Sequence, residues 1–172
     1  NHQTIEDLYI HDLGLQEIPD LAHLTQLKKL GFSGASLGTL KFLPSNVSLE
    51  EIEVKGSEIK EIQGLEHLTQ LKKLAFTEDE TVTYASVLDS LTFSASNAKL
   101  EELSVVRSYV NSIQGLEHLK GLRKLDLTGT GNLKALTFED ELPNLQVITA
   151  SGNPDIEEIN GLDKLPNLES LS

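Results

Sequence analysis

Three histidines recur in one local setting. His67 and His118 each sit in Gly-Leu-Glu-His-Leu, at 64–68 and 115–119, and His23 sits in Leu-Ala-His-Leu at 21–24. Equivalent imidazoles suggest a zinc site, which needs ring nitrogens about 2 Å from one ion. Two acidic clusters, Glu78-Asp79-Glu80 and Glu139-Asp140-Glu141, have the composition of a calcium loop without its alternating spacing. Neither a phosphate-binding glycine loop nor an H-E-x-x-H pair occurs. The chain has no cysteine, which removes disulfide and thiolate chemistry. Whether the histidines can meet depends on what spaces them, and that is a repeat.

The stretch Ile62–Leu74 returns as Ile113–Leu125 with ten of thirteen positions identical, and Leu21–Leu30 copies its second half. An L-x-x-L-x-L anchor recurs at Ile5/Leu8/Ile10, Leu27/Leu30/Phe32, Leu49/Ile52/Val54, Leu71/Leu74/Phe76, Leu100/Leu103/Val105, Leu122/Leu125/Leu127 and Leu145/Ile148/Ala150, with a half-copy at Leu168/Leu171. The blocks start near 5, 27, 49, 71, 100, 122, 145 and 168, separated by 22, 22, 22, 29, 22, 23 and 23 residues. Such self-similarity marks an array in which each unit buries its apolar face against the next. One domain over 1–172, of about seven and a half repeats, is therefore expected.

Each anchor predicts a short strand, with Leu30 and Phe32 inward, Lys29 and Gly31 outward, and neighbours pairing in parallel about 4.8 Å apart. The spacing Ile62, Leu65, Leu68 suits a 3₁₀ turn. Gly64, Gly115 and Gly161 share one position, which predicts a tight turn. On this geometry the histidines stand about two layers, near 10 Å, apart, too far for one ion. Neither metal nor cofactor is expected.

These anchors, with apolar positions continuing at Ile59, Ile62, Leu65 and Leu68, resemble the leucine-rich repeat family along essentially the whole chain. The 22-residue length and the I-x-x-I-x-x-L-x-x-L second half are most similar to the class of bacterial internalins and the leucine-rich regulatory subunit of protein phosphatase 1. The resemblance implies an α/β solenoid, with a curved parallel sheet on the concave side and 3₁₀ turns and short helices on the convex side. It also implies a ladder of asparagines. Here that position holds Leu13, Ala35, Ser57, Asp79, Ser108 and Thr130, and only Asn153 fits.

The 29-residue block carries an insertion within 77–97, where Tyr84, Val87, Leu88 and Leu91 follow i, i+3, i+4, i+7 and predict a short amphipathic helix. Insertions of this kind often lie on a binding face, so Tyr84, Glu78, Asp79 and Glu80 form one candidate surface. The doublets after each first anchor alternate in sign: Glu6-Asp7, Lys28-Lys29, Glu50-Glu51, Lys72-Lys73, Glu101-Glu102, Arg123-Lys124. In a parallel stack they predict cross-strand ion pairs rather than a basic patch.

The exposed sheet face, which the resemblance also marks as the binding side, presents Tyr9, Gly31, Glu53, Ala75, Ser104, Asp126 and Thr149. Beside them run His11, Ser33, Lys55, Thr77, Val106, Arg107, Thr128 and Ser151. Tyr9 and Arg107 are the residue types that dominate interface energetics.

The net charge of −13 opposes nucleic-acid and anionic-membrane binding, and no apolar run approaches the roughly 18 residues that span a bilayer. Asn46-Val47-Ser48 is a glycosylation sequon if a eukaryote secretes the protein. With no capping segment and two leucines in the last half-repeat, the chain is expected to be a piece of a longer array. The expected function is a non-enzymatic, monomeric protein-binding module that recognises a protein partner through the concave face, as part of a bacterial surface or secreted protein. The alternative is a regulatory or targeting domain of a larger intracellular enzyme or phosphatase complex.

Overall fold

The computed structural model describes residues 4–11, 21–78 and 86–172. Eight parallel strands follow one another in sequence order across one sheet: Asp7–His11, Lys29–Ser33, Glu51–Lys55, Lys73–Thr77, Glu102–Val105, Lys124–Asp126, Val147–Thr149 and Ser170–Leu171. The register joins equivalent residues, so Leu30, Ile52, Leu74, Leu103, Leu125 and Ile148 form one inward row. All six are at most 2% exposed. The anchors that the sequence spaces at 22 residues therefore stack in the core, and burial of this kind stabilises by about 25 cal/mol per Å² of apolar surface.

Among the described residues the convex side holds five 3₁₀ turns, Pro44–Asn46, Leu65–His67, Ala95–Asn97, Leu116–His118 and Leu162–Lys164. Three of them begin after glycines in the left-handed region, Gly64, Gly115 and Gly161, at φ of 81°, 76° and 79°. A side chain there would also collide with the preceding repeat. A Cβ on Gly64 would lie 2.2 Å from the Phe42 carbonyl oxygen; one on Gly115 or Gly161 would lie 2.1 Å from that of Phe93 or Phe138. Each of these phenylalanines is buried. The turn preceding two acidic-doublet strands is built differently. Asn46 and Asn97 accept hydrogen bonds from the Leu43 and Ser94 amides at 2.8 and 3.1 Å, and Asn97 also donates to the Leu65 carbonyl at 2.8 Å.

Among the described residues the convex side also carries four two-stranded parallel ladders, which the sequence did not announce: Gly38–Lys41 with Ile59–Gln63, Val87–Leu88 with Tyr109–Val110, Leu91–Thr92 with Ile113–Gln114, and Ala135–Thr137 with Glu158–Asn160. Two of them overturn the expected helix. Val87, Leu88 and Leu91 lie in strands; Leu88 and Leu91 are fully buried while Val87 is 43% exposed. The helical spacing arises from two short extended pieces joined by a bend, the same outer leg that Val110 and Ile113 form in the next repeat. Tyr84 lies outside the described residues.

Register also places the surplus. Eleven steps separate Phe76 from Val87, where four separate their partners Val105 and Tyr109. The additional residues thus fall between the end of one strand and Ser86. The hydroxyl in the family's asparagine row is consequently that of Ser86, which donates to the Ser57 carbonyl at 2.7 Å. Counting from the anchor had pointed to Asp79, outside the described residues. Ser57 accepts from the Ala35 amide at 3.1 Å, Ser108 donates to the Val106 carbonyl at 3.3 Å, and Thr130 donates to the Val105 carbonyl. Hydroxyls therefore do the tying. The side-chain nitrogen and oxygen of Asn153 are shielded without a partner among the described residues.

Candidate binding face

The concave face is a grid set by strand register. Its middle row reads Tyr9, Gly31, Glu53, Ala75, Ser104, Asp126 and Thr149. Tyr9 is 52% exposed and Ala75 is 2% exposed; Glu53, Ser104, Asp126 and Thr149 are half-buried. The acids of this row are engaged locally. Glu53 pairs with Lys55 at 3.3 Å, two positions along the same strand. One Asp126 oxygen accepts from the Thr128 amide at 3.1 Å and from its hydroxyl at 2.7 Å, and the other is 4.0 Å from the Lys124 ammonium.

The adjoining row brings His11, Ser33, Lys55 and Thr77 into register, with Val106, Thr128 and Ser151 beyond the strand ends. Ser33, expected on the accessible face, is 3% exposed. A short side chain between the longer His11 and Lys55 has no reach to solvent. Arg107 stands on the rim, and its guanidinium donates to Glu78 at 2.6 Å. Of the candidate insertion surface, Glu78 is described; Asp79, Glu80 and Tyr84 lie outside the described residues.

The doublets form ion pairs between adjacent strands. Lys28 pairs with Glu6 at 2.9 Å, Lys29 with Glu51 at 3.1 Å, Lys72 with Glu50 at 2.7 Å and Arg123 with Glu101 at 3.9 Å. Each cation takes one carboxylate rather than bridging two. Hydrogen bonding to Glu6, Glu51 and Glu50 raises the pKa of Lys28, Lys29 and Lys72 respectively, and the Lys72 ammonium holds the Glu50 carboxyl below its ordinary value.

Two aromatic contacts escaped the sequence reading. The Tyr9 ring lies over Gly31, where a Cβ would come 2.1 Å from its Cδ2. The Tyr109 ring lies over Gly131 in the same manner, with Cδ1 at 2.6 Å from such a Cβ. Tyr109 is 47% exposed and pairs with the exposed Val87. The signal was available, because each tyrosine is followed by glycine one repeat later. Gly34-Ala35-Ser36-Leu37-Gly38 has the G-x-S-x-G spacing of a nucleophile elbow. That motif requires a strand-to-helix turn. Here it links two strands, and Ser36 donates to Glu58 at 3.2 Å rather than to a histidine.

His67 and His118 lie 3.8 and 3.5 Å from their preceding glutamates, Glu66 and Glu117. No group of three or more metal-ligating side chains occurs among the described residues. No helix among them is long and apolar enough to cross a membrane.

An ordered stack of parallel strands, an inward leucine row and 3₁₀ returns decide the architecture. The fold is a leucine-rich repeat solenoid. It is similar to the structure of a leucine-rich repeat protein of Leptospira interrogans at 16% identity and a TM-score of 0.57, covering 100% of this chain and 55% of that one. The chain thus spans about half the length of that solenoid. The leucine-rich repeat domain of the type III effector XopL aligns at 15% identity and a TM-score of 0.33, over 94% of this chain and 73% of that domain. No protein-family model matches the sequence, and no curated protein matches it.

Proposed function

We propose that this leucine-rich repeat domain is a non-enzymatic module that binds a protein partner through its concave face. The observation that carries the reading is the middle row of the sheet. Eight strands present an open face whose side chains are small or locally neutralised except at Tyr9, so an incoming surface meets a rigid grid with little to displace. Rigid, preorganised surfaces lose little entropy on binding. The bacterial surface or secreted setting extends the same reading and is supported by the internalin-like repeat class alone.

The test is capture from native or host extract by the wild type beside a concave-face variant, Tyr9→Ala with Asp126→Ala. Loss of one defined partner by a variant that keeps its far-ultraviolet spectrum and melting transition supports the reading. A partner held equally by both proteins places binding off the concave face and overturns it.

A further inference from the structure

We propose that the concave face carries, between Tyr9 and Asp7, a subsite for one basic side chain, arginine or lysine, of the protein partner; this rests on the concave-face reading above. The Tyr9 ring lies flat on the sheet because Gly31 has no side chain beneath it. One ring face is therefore covered, and the other looks into the concave solvent, where Tyr9 is 52% exposed. An aromatic face so fixed attracts a cation through its quadrupole.

Asp7 supplies the countercharge. It stands two positions before Tyr9 on the same strand, hence on the same face and about 7 Å along it. Its register partner is Lys29, whose ammonium makes its close contact with Glu51 at 3.1 Å and attracts Asp7 only at longer range. Asp7 consequently makes no ion pair among the described residues. At this end of the ladder one carboxylate is thus left without a close cation, beside an open aromatic ring.

The two residues line a shallow cavity of about 270 Å³ with Lys29, Glu51, Glu53 and Lys73. That volume lies below the roughly 300–1,000 Å³ of small-molecule pockets, which suits one side chain of a larger partner. Glu53 is occupied by Lys55 and Glu51 by Lys29. The remaining cation, Lys73, is three strands from Asp7, about 14 Å away. The end beside Tyr9 is thus the negative end, and the net charge of −13 draws cations toward the molecule as a whole.

The experiment is a titration of isotope-labelled protein with N-acetyl-arginine amide, followed by amide chemical shifts. The norleucine and glutamate amides serve as controls. Saturable shifts centred on Tyr9, Gly31 and Glu53 are expected with the arginine amide and not with the controls. Tyr9→Ala and Asp7→Asn should each weaken binding roughly threefold or more, and added salt should weaken it further. Gly31→Ala keeps both recognition groups but lifts the ring, and should abolish the shifts while distant amides stay in place. Equal shifts with norleucine amide, shifts indifferent to the three substitutions, or no shift at all overturn the subsite. If those results coincide with a partner still lost by the concave-face variant, the subsite fails and the binding module stands.

Discussion

Arg107 and Glu78, joined at 2.6 Å, both occupy the loop position that is glycine in four other repeats, Gly34, Gly56, Gly129 and Gly152. Those glycines adopt φ of 69°, 46°, 65° and 70°, and Arg107 follows them at 49°. A left-handed conformation costs an L-residue about 1–2 kcal/mol, whereas an exposed ion pair returns about 0.2–1 kcal/mol. The repeat that carries the insertion and the repeat after it therefore share a charge pair at a net expense to the fold. Arg107→Gly should be more stable than Arg107→Ala by about 1 kcal/mol in urea denaturation. At a loop position with ordinary φ the alanine variant would be the more stable one, because glycine loosens the unfolded chain. That reversed order would refute the strain assigned to Arg107.

Gly115→Ala tests the convex turns. The new methyl would sit 2.1 Å from the Phe93 carbonyl oxygen, on backbone already at φ 76°. Neither partner can yield without separating two repeats, so a loss of about 3 kcal/mol or more is expected in equilibrium unfolding. Gly38→Ala is the control. It shares a positive φ of 65° but meets nothing within 4 Å, and should lose about 1 kcal/mol.

The ion-pair ladder predicts a pH profile. Glu50 is held below its ordinary 4.5, so its contribution is complete above that value and fades as pH falls through the lowered one. Asp140, hydrogen-bonded to Lys120, and Asp155, bonded to the Asn132 amide, share this acid limb. Lys28, Lys29 and Lys72 are raised above 10.5, so their contribution is complete below that value and is lost as pH rises through the raised ones. Stability should be flat between and decline on both sides. Exchanging Lys72 and Lys73 for Glu should lower the urea midpoint at neutral pH, more at low salt than at high, and shrink the acid decline. A midpoint unchanged at low salt would contradict the pairing.

Leu103→Asp tests the inward row. The side chain is fully buried between Leu74 and Leu125, and a carboxylate there costs several kcal/mol. The array should lose its cooperative melting transition. A folded, soluble variant with native circular dichroism would mean that the register is wrong.

The inward rows were legible because each depends on a spacing of 22 or 23 residues that holds in six of the seven intervals, and the charge doublets were legible for the same reason. The insertion broke that counting. Position nine of its block pointed to Asp79, whereas the hydroxyl row continues at Ser86 once the pairing of Val87 with Tyr109 fixes the register. The helix expected at Val87, Leu88 and Leu91 failed because two short strands and a bend reproduce helical spacing over so few residues. On the concave face the sequence named Tyr9 but not what supports it. A glycine one repeat away reads as a gap in a pattern until a ring is seen lying on it.

The contacts of Phe42 with Gly64, Phe93 with Gly115, and Phe138 with Gly161 recur in every second repeat, and the doublets change sign with nearly the same rhythm. The array therefore has parity. Excising 49–70 would bring Lys28-Lys29 against Lys72-Lys73 and leave Phe42 without its glycine. Excising 27–70 would remove Phe42 and Gly64 together and set Glu6-Asp7 beside Lys72-Lys73, with signs still opposed. The smallest length by which this solenoid can shrink or grow without violating its own contacts is a pair of coils, so its natural size variants should differ by even numbers.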